Sequence, residues 1–177
     1  KLECLLGKPL TRLTNGTLRS RIDRYNTLPS WRMRWCTQEL KIIPAITFLR
    51  ANAPCVLYVG LRADEPEEAR KGLQGDYRGV TVEFPLREWG WRIEDVRRYL
   101  REKGVRIPRR TDCARCYGQR LSEWRALWRD HPDIYADAVA DEERTGHTFR
   151  SPKRDRYPAA LKELAQVFAQ SPQLPIL

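Results

Sequence analysis

The stretch CVLYVG (residues 55–60) decides the fold class. It is short, apolar and β-branched, follows Pro54 and ends on a glycine, so it reads as a buried strand. A second run, VTVEF (80–84), sets Thr81 and Glu83 between Val80, Val82 and Phe84. That alternation predicts a strand with one buried face. Working outward, the patterns become helical. IEDVRRYLREKG (93–104) repeats Ile93, Val96 and Leu100 at helical spacing and places Gly104 where a left-handed cap falls. A helix is expected from about Gly118 to Arg129, its stripe formed by Leu121, Trp124, Leu127 and Trp128. His131-Pro132 breaks it. The next helix carries Ile134, Tyr135, Ala138 and Val139 to about Glu143, and a last one carries Leu161, Leu164, Ala165 and Phe168.

Upstream, the first 35 residues are basic and loop-rich. Thr17 suits the cap of a short helix through Arg24, and Thr37 is a candidate cap for one carrying Leu40. Pro44 interrupts that second pattern or restarts it at a first turn, where a missing N–H costs nothing. LRADEPEEARKG (61–72) predicts a polar loop and a short helix, VRIP (105–108) a brief extended segment, and SPQLPIL (171–177) an arm. Strands amid helices give an α/β class. With no repeat and no strong linker, residues 1–177 are expected to form a single domain. Two strands make a poor sheet alone, so part of a larger sheet is expected to be missing or supplied by a partner.

The chain has 177 residues, enough for a core of its own. No apolar run approaches the ~20 residues that span a bilayer, so no membrane association is expected. The start, KLECLLGKPLTRL, has no extended apolar region followed by a small-residue cleavage site, and no secretory signal is expected. It also lacks an initiator Met, which reads as processing, trimming or an excerpt. Lys and Arg total 33 against 23 acidic residues, a formal charge of +10. Such a balance fits either a well-solvated surface or a polyanionic partner, nucleic acid or nucleotide phosphate.

Five cysteines are present: Cys4, Cys36, Cys55, Cys113 and Cys116. An odd count with one close pair is a poor disulfide framework. A CxxC without an export signal points to metal or redox chemistry in a reducing cytoplasm. Cys113-Ala-Arg-Cys116 has the spacing of zinc and iron–sulfur sites. It lies in RIPRRTDCARCYGQR, where positive charge favours thiolates. Cys36 also sits among arginines, Arg32 and Arg34. The fourth ligand stays open. Cys55 opens a strand and is either a small core residue or a ligand, Cys4 is either, and His147 is a further candidate. Three cysteines alone are also sufficient for a cluster with one open iron.

The order of WCTQELKI (35–42), YVGLRADE (58–65), the 113–116 CxxC and SEW (122–124) resembles the phosphoadenosine phosphosulfate (PAPS) reductase-like family of the adenine-nucleotide α-hydrolase superfamily. The resemblance spans roughly residues 9–150. It implies a Rossmann-like sandwich, here without its first strands. Residues 1–110 would be the partial nucleotide-binding sheet region and 111–177 a helical, cluster-binding region. It further implies that Cys36, Cys113 and Cys116 hold a 4Fe-4S cluster, with zinc the alternative metal, and that ATP or a related adenine nucleotide is bound. Arg62 of the Gly-x-Arg segment would contact phosphate, with Arg70 and Lys71 close by. Asp64 and Glu65 would serve a magnesium ion or pair with Arg70.

Two departures shape the functional expectation. Cys36 is followed by Thr37, where cluster-bearing sulfonucleotide reductases carry adjacent cysteines, and no cysteine follows Cys116. Relatives that insert sulfur into DNA or tRNA carry a single cysteine there. The family's Ser-Gly-Gly phosphate loop is also absent, so a missing N-terminal segment or a partner chain is expected to provide it. The leading reading is an enzyme portion for iron–sulfur-dependent sulfur transfer to nucleic acid with adenine-nucleotide activation. The alternatives are a PAPS or adenylyl sulfate reductase, and a non-catalytic, metal-stabilised nucleic-acid-binding module. Trp31, Trp35, Trp89 and Trp91 are candidates for stacking bases or for the core. Trp124 and Trp128 are expected in the core.

Overall fold

The computed structural model describes Glu3 and residues 6–64, 77–107 and 113–170. Cys4, Glu65, Arg70, Lys71, most of the expected 61–72 loop and helix, and the 171–177 arm lie outside these residues. The chain is mixed α/β and divides into two compact units. One comprises Lys1–Asn15 and Lys41–Arg110, the other Gly16–Leu40 and Thr111–Leu177. The segment 16–40 packs with the C-terminal residues.

In the strand-bearing unit, β1 (Cys55–Tyr58) and β2 (Val80–Glu83) pair in parallel, with Cys55 opposite Val80 and Tyr58 opposite Glu83. Parallel neighbours need a long crossover, and the chain between them supplies one. Gly79 turns the chain into β2 at φ 77°, a left-handed conformation, and its carbonyl accepts from the Cys55 amide at 2.8 Å. The expectation of a buried β1 needs correcting. Val56 is 47% and Tyr58 66% exposed. Among the described residues only two strands pair, and β1 shows the alternation of a strand covered on one face.

The helical run before β1 also differs from expectation. Thr37 does not cap it. A single turn, α2 (Trp35–Thr37), already contains Thr37, whose amide donates to the Arg34 carbonyl at 3.0 Å. A π turn over Gln38–Ile42 follows, then α3 (Ile43–Ala51) with Pro44 in its first turn. Pro44 has no N–H to donate to the Leu40 carbonyl, so the regular four-residue ladder cannot pass through this point. After β2 come a short helix, α4 (Pro85–Glu88), and α5 (Ile93–Glu102). The end of α5 is a Schellman motif. Gly104 sits at φ 63°. Its amide donates to Arg101 at 2.9 Å and that of Val105 to Leu100 at 2.8 Å.

The helical unit begins with Leu18–Tyr25, here α1, capped reciprocally by Thr17 and Ser20. Helices α6 (Leu121–Asp130), α7 (Pro132–Thr145) and α8 (Leu161–Gln170) follow as the apolar spacing predicts. Their stripes meet in one core of Ile22, Leu28, Trp124, Leu127, Tyr135, Ala138, Phe149, Leu161, Leu164 and Phe168. Trp124 packs edge-on against Tyr135 at 6.3 Å, and Trp128 lies 5.8 Å from Phe168. Both tryptophans are structural, as expected. No helix among the described residues is long and apolar enough to cross a membrane.

Candidate thiol site and its basic surroundings

Cys36, Cys113 and Cys116 all fall in the helical unit, although Cys36 is far from the other two in sequence. The CxxC is a turn stitched by Gln119. Its buried side-chain amide donates to the carbonyls of Cys113, at 3.2 Å, and of Ala114. The Gly118 amide donates to the Cys116 sulfur at 3.4 Å, the kind of N–H···S contact that stabilises a thiolate. Arg115, inside the motif, turns to α7 and donates to Asp141 at 2.6 Å. That carboxylate is 0% exposed and also accepts from Arg144 at 2.7 Å, with Arg19 3.7 Å away. Arg144 reaches on to Asp23 of α1 at 2.7 Å. One buried carboxylate thus ties the cysteine turn to two helices.

Tyr117 follows the pair and is almost buried. Burial pushes its hydroxyl pKa up. The thiols of Cys36 and Cys116 act in the same direction, and the Arg34 guanidinium opposes them. Cys36 and Cys116 therefore lie within electrostatic reach of one phenol. Cys36 and Cys116 are half-buried, while Cys113 is exposed. Among the described residues, no three His, Cys, Asp or Glu side chains converge on a metal-sized site. Cys55 belongs to the other unit, half-buried, its thiol donating to the Leu49 carbonyl at 3.9 Å. His147 is exposed beside an open cavity.

In the strand-bearing unit, Arg62 donates through Nε to Asp64 at 2.6 Å. Asp64 accepts on its other oxygen from the Ile93 amide at 3.0 Å, at the start of α5. Burial alone would raise the Asp64 pKa. The bonds from Arg62 and Ile93, with the charges of Arg62 and Arg92, outweigh it and hold the carboxyl below its usual range. Asp64 thus pairs with Arg62, and Arg70, the partner considered for it beside a magnesium ion, lies outside the described residues.

Sequence reasoning missed the buried charges of α7. Glu142, 6% exposed, accepts from the amides of Phe149 at 2.8 Å and Leu161 at 2.7 Å. Burial pushes its pKa up to about 7, against those bonds and the charge of Arg150. Arg150 is itself buried and clamps Asp155 with two 2.8 Å bonds. ADEERT (140–145) looks like a solvated acidic run, and only its helical phase, which turns Asp141 and Glu142 inward with Ala138, could have marked it.

No family model, no curated protein and no solved structure matches this chain.

Proposed function

We propose that the chain is part of a PAPS reductase-like enzyme with a Rossmann-like sheet completed by further strands. In this reading it acts in iron–sulfur-dependent sulfur transfer to nucleic acid, with adenine-nucleotide activation, in the cytoplasm. The observation that carries the reading is the gathering of Cys36, Cys113 and Cys116 into one compact unit although Cys36 is far from the other two in sequence. The donor chemistry suits a cluster: thiols in no disulfide, an N–H···S bond at Cys116, and arginines nearby. Cys36, Cys113 and Cys116 would hold it. Held by three thiolates, such a cluster would supply an iron able to bind sulfide or substrate.

The protein's own part is positioning. Gln119 and the Arg115–Asp141 pair fix the turn that presents Cys113 and Cys116. Arg62 spends its Nε on Asp64, and no described residue takes its terminal nitrogens, which suits them to phosphate. The exposed apolar residues of β1, Val56 and Tyr58, share one face of the sheet and suit a further layer packed on it.

A second reading, a metal-stabilised nucleic-acid-binding module without turnover, is favoured by the exposed indole of Trp31 among basic side chains. Mass spectrometry of nucleosides from native cells separates the readings. A sulfur-bearing nucleotide that disappears in a Cys36→Ser strain is expected. Identical nucleoside profiles would overturn the sulfur-transfer reading. Cys36-dependent sulfite release from adenylyl sulfate would instead identify a sulfonucleotide reductase.

A further inference from the structure

The helical unit contains an open cavity of about 830 Å³, framed by the 27–33 segment, Tyr117 and the 146–154 loop. Its volume lies within the roughly 300–1,000 Å³ of small-ligand sites. Trp31 stands at its wall, 69% exposed, held by an edge-on contact with Tyr117 at 5.1 Å. Exposing most of an indole costs hydrophobic free energy, and here one edge is braced while the rest stays open. Arg32, His147 and Arg154 line the same cavity, and no described Asp or Glu does. Arg32 and Arg154 form no ion pair with a described carboxylate. Among the described residues, the Arg154 guanidinium donates only to the Tyr117 carbonyl, at 3.4 Å. The nearest acid in sequence, Asp155, is already clamped on both oxygens by Arg150.

An anchored, exposed aromatic face beside cations outside any ion pair with a described carboxylate is the chemistry of a stacked base with its phosphate. We infer that this cavity receives one unstacked nucleotide of a single-stranded nucleic acid, with the base on Trp31 and the backbone phosphate on Arg32 and Arg154. The inference deepens the proposed function and takes from it the class of polyanion. It places the acceptor strand against Tyr117, the residue that follows Cys116 in the chain. A duplex does not fit this description, because its bases are already stacked on one another.

The test uses the full chain without metal loading, so its outcome is separate from whether a cluster exists. Fluorescence anisotropy with a labelled octathymidylate measures affinity as a function of salt, with thymidine monophosphate and a duplex of equal length as competitors. Trp31→Ala removes an exposed side chain, and Arg32→Glu reverses an exposed charge. Arg129→Glu, on an arginine paired with Asp130 outside the cavity lining, controls for net charge. Circular dichroism confirms folding of each variant.

Trp31→Ala is expected to weaken binding about tenfold, the loss of one stacked base. Arg32→Glu is expected to weaken it and flatten its salt dependence, with Arg129→Glu changing it far less. Undetectable binding of the oligonucleotide would overturn the inference, as would equal affinities for wild type and Trp31→Ala. Monophosphate or duplex binding tighter than the single strand would overturn the assignment to a strand.

Discussion

Replacing Asp141 by Asn tests the buried charge centre that holds the cysteine turn. The carboxylate is fully enclosed and takes bonds of 2.6 Å from Arg115 and 2.7 Å from Arg144, with Arg19 3.7 Å away. Removing one partner of such a group leaves the others desolvated and uncompensated, at about 3–5 kcal/mol. Arg144 is about a third exposed and keeps its 2.7 Å bond to Asp23, so it finds relief. Arg115, with its side chain only 16% exposed, does not. The expected loss is therefore at the lower end, about 3 kcal/mol. For a chain of this size that corresponds to a fall in Tm of about 6–12 °C. Calorimetry with urea unfolding reads it directly. A double-mutant cycle with Arg115→Ala should return a coupling of about 1–3 kcal/mol. A Tm unchanged within error, or a coupling of zero, would refute the idea that Asp141 fixes the CxxC turn.

Glu142 should make stability fall as pH rises. Its folded pKa, about 7, lies above the ordinary 4.5. Below the ordinary value both states hold the proton and nothing is lost. Between the two values the unfolded state ionises first, and above about 7 the cost is complete, on the order of 3 kcal/mol. Glu142→Gln, which cannot ionise but puts an amide against one backbone N–H, should be less stable at low pH and lose the dependence between about pH 5 and 7.5. Urea unfolding across that range checks it, and parallel profiles for the two proteins would contradict it. Asp64→Ala removes the acceptor of the Ile93 amide at the start of α5 and should cost about 1 kcal/mol, read as faster amide exchange at Ile93. Gly104→Ala introduces a side chain at φ 63° and should cost about 1 kcal/mol, read by urea unfolding.

Much of the fold was legible because it rests on local patterns. Leu121, Trp124 and Leu127 share a helix face by spacing alone, and Thr17 and Gly104 mark helix ends by their own chemistry. Three features were not legible. The parallel register of Cys55 with Val80 is a long-range pairing that neither strand encodes by itself. The π turn before Pro44 arises from a missing donor acting four residues back. The inward charges of α7 have the composition of a solvated face, and only packing shows that Asp141 and Glu142 share the side of Ala138. For the candidate site, the cysteines were readable as residues. Their supports, Gln119 and the Arg115–Asp141 pair, became visible only once α7 was in place beside the turn.

Cys36, Cys113 and Cys116 are proposed to hold one iron–sulfur centre. Iron, acid-labile sulfide and zinc content of anaerobically purified protein, with the absorbance near about 400 nm expected of a thiolate-bound cluster, tests it most directly. The account predicts a brown protein whose iron and sulfide are lost in Cys36→Ser and in Cys113→Ser, while both variants keep their folded circular dichroism. A colourless protein, or one whose metal content is the same in Cys36→Ser as in wild type, would contradict it.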